Sequence, residues 1–349
     1  MGKLIDKEYC MSSFLAFRYV VNPEMIFEGG VEHIEFTPIS ESKKTSCKTI
    51  EDIDECIRKC LDGVDLTDAG ILLSGGIDSG ILASYMPKGT PAYTVSNPNP
   101  AAVAEVERAA KVCRKFGLEH HIIDVTWKEY DDCMDELMRH DGCPVFANEP
   151  QVYIVAERMK KDGVHTIIYG DNADMAFGGM DRMLSRDWSF DEWVNRYTFV
   201  DPKDVLVSPI DMNDVYETYR VGDNGIDFIK FISEIFAMSS SGAYINAFDY
   251  IGMQYVDPYA YMKMAEPLDL NRVRAGDSKY MLRELYREKF PGWEVPEKIA
   301  MARAMDVWLK NWKGPIRKEF KRDCMEKMTG EQKFMIYSLE RFLNLMDIK

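Results

Sequence analysis

Apolar positions alternate between two spacings along the first half of the chain. Ile50, Ile53, Cys56, Ile57, Cys60 and Leu61 recur at helical spacing, and Gly63 follows as a C-terminal cap. Short apolar runs then appear at 70–73, 92–95, 121–125 and 165–169, each of strand length. Between them lie helical stretches at 80–86, 101–116 (ended by Gly117) and 150–161 (ended by Gly163). Strands alternating with helices predict an α/β fold: a parallel sheet with helices on both faces. Beyond about residue 175 the strand signals fade, and helical patterns such as 228–236 and 279–289 dominate. At the other end, Phe14–Val21, Met25–Phe27 and His33–Phe36 read as short strands, followed by a polar linker from Ser40 to Ser46. The expected organisation is a short N-terminal β segment (1–46) and one large unit (47–349), α/β over 47–180 and helical over 181–349. No internal repeat is visible.

Composition narrows the classes. With 349 residues, 46 % of them hydrophobic and 29 % charged, the chain reads as an ordinary globular one. A formal net charge of −15 argues against broad binding to nucleic acid or anionic membranes. No apolar stretch reaches the length of a membrane span, and no signal-peptide apolar region follows Met1. The eight cysteines form no Cys-x-x-Cys pair, which fits free thiols in a reducing, cytoplasmic setting. The 22 methionines are best explained by core packing.

Candidate chemistry sits where strands end. Ser74-Gly75-Gly76-Ile77-Asp78-Ser79 directly follows the apolar run 70–73 and opens a helix. Such a turn lets backbone N–H groups approach a phosphate. It lacks the lysine of the Gly-x-x-x-x-Gly-Lys loop and carries Asp78 instead. A carboxylate beside a polyphosphate calls for a divalent cation between them, so the loop predicts nucleotide together with Mg²⁺. Taken alone, it is also compatible with a simple turn in which Asp78 or Ser79 caps a helix. A second strand, 166–169, runs into Gly170-Asp171-Asn172-Ala173-Asp174. In a parallel sheet both turns emerge on one edge, where Asp78 and Asp174 could share a metal. A third cluster holds Lys279, with Lys298 further on; lysines neutralise charge developing on departing pyrophosphate.

Together these pieces resemble the synthetase domain of the asparagine synthetase family, within the ATP-pyrophosphatase (PP-loop) superfamily. The resemblance extends to Leu118-Glu119-His120-His121, to Tyr255-Val256-Asp257 and to Lys279-Tyr280-Met281-Leu282-Arg283, spanning roughly residues 50–312. It implies an adenine nucleotide α-hydrolase-like fold and a reaction class. A carboxylate attacks the α-phosphate of ATP, giving an acyl-adenylate and pyrophosphate; ammonia or an amine then displaces AMP. Carried over, Ser74, Gly75, Gly76, Asp78 and Ser79 bind the phosphates, Gly170 belongs to the cofactor site, and Asp78 and Asp174 hold Mg²⁺. Leu72, Leu73 and Val95 flank adenine, Lys279 and Lys298 stabilise pyrophosphate, and Asp171, in the place of a family glutamate, assists proton removal from the nitrogen.

Departures shape the expected substrate. Met175 replaces an acid, and 248–254 (Phe-Asp-Tyr-Ile-Gly-Met-Gln) replaces the family's Ser-Leu-Glu-Val-Arg segment. A site for aspartate needs charged partners for its ammonium and carboxylate, so the acid is expected to be another one. Family members with a glutaminase domain begin with a nucleophilic cysteine, whereas position 2 is Gly2. The nitrogen is then expected from ammonia, from an amine in a small-molecule or natural-product pathway, or with help from a separate glutaminase or carrier protein. A nucleotide-binding homologue without catalysis stays open because of Asp171 and Met175. So does other PP-loop chemistry such as tRNA thiolation, although no sulfur-carrying cysteine arrangement or basic RNA face is visible.

Overall fold

The computed structural model describes residues 3–348. Gly2 therefore lies outside the described residues. In chain order the α/β half comprises β1 (Leu4–Ile5), α1 (Lys7–Phe17), β2 (Met25–Ile26), β3 (Thr45–Cys47), α2 (Ile50–Asp62), β4 (Ala69–Leu72), α3 (Ile77–Ala83), β5 (Pro91–Ser96), α4 (Pro100–Phe116), β6 (Glu119–Asp124), α5 (Trp127–Asp141), α6 (Asn148–Lys161) and β7 (Thr166–Ile168). Then follow α7 (Ala173–Ala176), α8 (Asp181–Leu184), α9 (Phe190–Tyr197), α10 (Pro202–Val205), α11 (Asn213–Glu217), the hairpin β8 (Arg220–Val221) and β9 (Gly225–Ile226), and α12 (Phe228–Phe231). A π-turn over Ile232–Phe236 leads into α13 (Ala237–Ile251), then β10 (Gln254–Val256), β11 (Met262–Met264), α14 (Leu270–Arg274), α15 (Tyr280–Lys289), α16 (Met305–Trp308) and α17 (Gly330–Leu345).

Five parallel strands form the central sheet in the order β10-β7-β4-β5-β6. Successive residues face opposite sides of a strand, so each strand feeds two cores. Ile167 and Tyr93 join a cluster with Phe14 of α1, Met134 of α5, Val155 of α6 and Leu339 of α17. Ile71, Ala92 and Ile168 join the opposite one, with Ile53 of α2, Leu82 of α3 and Leu285 of α15. A third cluster, built on Phe17, Trp193, Tyr197, Tyr216 and Phe231, lies under the helical half. The fold is α/β with a covered parallel sheet, as the alternation predicts.

Helix ends follow the local sequence. Asn99 caps α4 with Pro100 in its first turn, and Gly117 ends it in the left-handed conformation at φ 71°. Thr49 with Asp52, and Thr126 with Glu129, form capping boxes on α2 and α5.

Four expectations, three N-terminal and one at the sheet edge, are corrected. Phe14–Phe17 belongs to helix α1, not to a strand, and Arg18 closes that helix. Every α1 residue from Cys10 to Phe17 is buried, so the helix shows no polar stripe, and a short apolar run is ambiguous between the two states. His33–Phe36 forms no strand; only Met25–Ile26 pairs, in parallel with Leu4–Ile5. The linker at 40–46 carries the start of β3, which pairs with β11. Finally, the sheet has a fifth strand, β10, beyond the point where strand signals fade. Its three residues, Gln254-Tyr255-Val256, sit on an edge and are too few to show alternation. Among the described residues no helix is long and apolar enough to cross a membrane.

Candidate active site

Strands β4 and β7 are neighbours, with Ile71 opposite Ile168, so the chain leaves both at the same edge of the sheet. The first exit, Leu73–Gly76, is a tight loop. Gly75 sits at φ 72°, and a Cβ there would lie 2.5 Å from the Ala109 backbone nitrogen on α4. Only glycine fits that contact. The Ser79 hydroxyl is 3.0 Å from that of Ser74 and accepts the Ser74 N–H at 3.2 Å, which curls the loop onto the start of α3.

The second exit carries the other acids. Asp257, after β10, accepts hydrogen bonds from the Asn172 backbone N–H (2.8 Å) and side-chain amide (3.0 Å). That latch holds the turn 170–174 in place. Asp171 accepts from Ser240 (2.9 Å) and Ser241 (3.0 Å) of α13. Burial raises its carboxyl to about 6, against the lowering effect of the two serines.

Asp78 and Asp174 meet through lysine. The Lys279 ammonium lies 2.5 Å from Asp78 and also pairs with Asp174, while Lys298 pairs with Asp174 and donates to the Gly179 carbonyl. A Cβ on Gly179 would fall 2.1 Å from Cε of Lys279, so the backbone there must be bare to admit the lysine. Lys279 itself has a left-handed backbone, φ 51°, ahead of α15. Burial raises the Asp78 carboxyl, only partly offset by Lys279. At Asp174 burial pulls the same way, but Lys279 and Lys298 together outweigh it and hold the group below its ordinary value. The Tyr259 hydroxyl donates to the Asp78 carbonyl at 3.0 Å and ties α3 to the loop after β10.

Two carboxylate oxygens of this knot make no hydrogen bond, Oδ1 of Asp78 and Oδ1 of Asp174, although the second is ion-paired with Lys279. Oδ1 of Asp78 is shielded from solvent and has no hydrogen-bond partner. A buried, unsatisfied carboxylate oxygen beside a second carboxylate fits a hard divalent cation such as Mg²⁺. Among the described residues no group of three His, Cys, Asp or Glu could hold a metal by itself. The two acids would therefore share it with phosphate oxygens.

Beside the knot lies a cavity of about 430 Å³. Leu72, Leu73, Ser74, Asp78, Ser79, Val95, Gly170, Asp171, Asp174 and Lys298 all line it, whereas Gly75, Gly76 and Lys279 do not. Sequence reasoning thus named ten residues of the cavity wall and Lys279, which pairs with two of them. It missed the parts that hold the set: Asp257, named only within a motif, and the serines of α13. It also missed Glu105, Arg18 and Arg303 on the cavity wall. Glu105 is buried, and burial lifts its carboxyl to about 7. The histidines His120 and His121 stay outside the cavity. His120 bonds Thr94 at 2.9 Å, and His121 stacks on Tyr93 with ring centres 4.7 Å apart.

Comparison with known proteins places this geometry. Residues 50–244, more than half of the chain, match the family model for asparagine synthase. Over 125 residues the chain is 26 % identical to asparagine synthetase [glutamine-hydrolyzing] 2 of Oryza sativa subsp. japonica, covering 32 % of this chain and 21 % of that protein. It therefore spans about a fifth of that relative's length. Among solved structures, the U34-tRNA thiolase NcsA from Methanococcus maripaludis, with its [4Fe-4S] cluster, aligns over 72 % of this chain and 82 % of its own. That alignment has 14 % identity and a TM-score of 0.25, too loose a likeness to carry an argument. The matched stretch contains both acid-bearing turns and the two neighbouring strands that align them, and on the strength of a match over more than half of its length the chain belongs to the asparagine synthase family.

Proposed function

We propose that this chain is an ATP-dependent ligase that adenylates a carboxylate other than aspartate, releases pyrophosphate, and passes the acyl group to ammonia or an amine. The observation that carries this reading is the convergence of Asp78, Asp174, Lys279 and Lys298 at the edge of a parallel sheet, beside a cavity large enough for a nucleotide. Leu72, Leu73 and Val95 offer the apolar wall that adenine requires. The loop 74–79 supplies backbone N–H groups and hydroxyls to the phosphates. Mg²⁺ held by Asp78 and Asp174 would neutralise phosphate charge that the two acids would otherwise repel. As charge builds on pyrophosphate, Lys279 and Lys298 exchange their carboxylate partners for phosphate oxygens. Asp171 stands on the same wall, held by Ser240 and Ser241, where it can accept a proton from the incoming nitrogen.

ATP–pyrophosphate exchange with Mg²⁺, run over a panel of carboxylic acids, is the direct test. Exchange is expected with a particular acid and not with aspartate. No AMP from acids, amines and a metabolite extract combined would overturn the ligase reading. It would favour a nucleotide-binding protein without turnover.

The role of Asp171 makes a pH prediction. A base must be ionised, and with a carboxyl raised to about 6, kcat/KM should fall tenfold per unit below that pH. Concentrations must be corrected to the unprotonated amine. Asp171→Asn should remove this acid limb and slow turnover by about 10²–10⁴-fold. An unchanged pH profile in the variant would remove Asp171 from proton transfer.

A further inference from the structure

The cavity proposed to take the nucleotide has a cationic feature that the phosphate chemistry leaves unused. Arg18 closes helix α1 with φ 73° and donates its backbone N–H to the Phe14 carbonyl at 2.7 Å. Glycine is the usual residue in that conformation. Among the described residues only Arg18, Lys279 and Asp347 adopt it without being glycine. Lys279 is the lysine of the carboxylate knot; such backbone strain concentrates at working sites. The position is also firmly built. Ser13 accepts the Val21 N–H at 2.8 Å, and Phe199 and Val200 donate to the carbonyls of Ala16 and Leu15, both at 3.0 Å.

The side chain reaches into the cavity with no acid to meet it. Its guanidinium carbon sits 4.4 Å from the ring centre of Phe199 and 5.6 Å from those of Phe146 and Tyr197. Its Nη1 is shielded from water and meets no acceptor in normal hydrogen-bond geometry, the neighbouring Tyr197 hydroxyl being an uncharged and poorly aligned partner. The groups acting on it electrostatically are Tyr197, Tyr216 and a second cation, Arg303. Arg303 lies 5.8 Å from the ring centre of the same Phe146 and is already committed to Glu331 at 2.9 Å. Glu331 and Glu105 line the cavity too, but Glu331 is paired with Arg303 and neither forms an ion pair with Arg18. A buried guanidinium with a free N–H, aromatic walls and a like charge nearby is short of one anion.

We propose that Arg18, with Arg303 across Phe146, binds a carboxylate carried by one of the two ligase substrates, distinct from the carboxyl group that is activated. This rests on the ligase reading for the identity of the ligand, but the anion site itself does not. Planar guanidinium and planar carboxylate form two parallel hydrogen bonds, which explains an arginine here in place of a lysine. The carboxylate source is either the acid or the amine.

Two measurements test it. Crystals of the full chain soaked in bromide should show an ordered halide at Arg18 Nη1 by anomalous scattering, absent in Arg18→Met and retained in Arg18→Lys. Arg18→Gly, which relieves the left-handed backbone, guards against a folding failure of the methionine variant. No halide in the wild type, or a halide unmoved by Arg18→Met, overturns the site and leaves Arg18 as a packing element among its rings. Once an acid and an amine support AMP formation, Arg18→Met should raise KM 10- to 100-fold for the partner that carries the extra carboxylate. KM for ATP should stay unchanged, and whichever KM moves identifies the source. Substrates of which neither bears a further anionic group overturn the proposal. Halide binding without any AMP formation would refute the ligase reading alone.

Discussion

Lys279→Met is expected to abolish AMP formation, by at least about 10³-fold, and to destabilise the protein at neutral pH. The catalytic loss follows from removing a buried cation aimed at developing phosphate charge, a contribution of about 3–4 kcal/mol in comparable sites. The stability loss has a different origin. Lys279 is the ammonium between Asp78 and Asp174, and its side chain is only 7 % exposed. Taking it away leaves two carboxylates facing each other at the mouth of a cavity, with Lys298 on one of them. Breaking a buried ion pair from one side costs about 3–5 kcal/mol. Without the lysine the acids are harder to ionise, so the folded variant binds protons more tightly than the unfolded chain. Its stability should therefore rise on acidification from pH 7 towards pH 5, narrowing the gap to wild type. Thermal melts across that range, with AMP assays at pH 7, decide it. A variant with wild-type melting and turnover would remove Lys279 from both roles.

Gly75→Ala should be nearly as damaging, through backbone geometry. A left-handed φ of 72° costs a non-glycine residue about 1–2 kcal/mol. The added Cβ would sit 2.5 Å from the Ala109 nitrogen and 2.6 Å from the Arg108 Cβ, so the loop must lift from α4. A displacement of that kind moves every N–H aimed at phosphate, and misplacement by about 1 Å can cost 10²-fold in rate. The expected result is a melting temperature lower by several degrees and a kcat/KM for ATP reduced about 10²-fold. Gly76→Ala is the control. Its Cβ would meet only the Ser74 hydroxyl, at 3.3 Å, and its φ of −74° suits any residue.

The difference in what sequence could disclose follows from locality. The turn at 74–79 is legible because strand, glycines, acid and helix are contiguous, and contiguous patterns carry their own geometry. The turn at 170–174 reads the same way, and the parallel sheet then brings the two together. Lys279 and Lys298 come from distant segments, where a lysine on a charged stretch is by itself a weak signal. Ser240 and Ser241 lie in a helix where serines look merely unfavourable, yet they grip both oxygens of Asp171. Arg18 ends an apolar run that mimics a strand, because a helix buried on all sides has no polar stripe to give it away. Strand β10 is too short to announce itself, although Asp257 just beyond it was visible within a motif.

That late edge strand has a consequence for how the molecule comes into being. β7 is separated from its outer neighbour by residues 169–253, and Asp257, which fastens Asn172, lies beyond them. Lys279 and Lys298 arrive later still. Pairing across so long an insertion is slow, because the entropy of closing the loop is lost before the contact forms. During synthesis the glycine loop after β4 thus exists long before the acids and lysines that complete its electrostatics. A chain interrupted near residue 250 would carry a sheet with an open edge and a half-built phosphate cradle. The pocket in this way is whole only once residues as far along as Lys298 have joined the loop after β4 at one edge of the sheet.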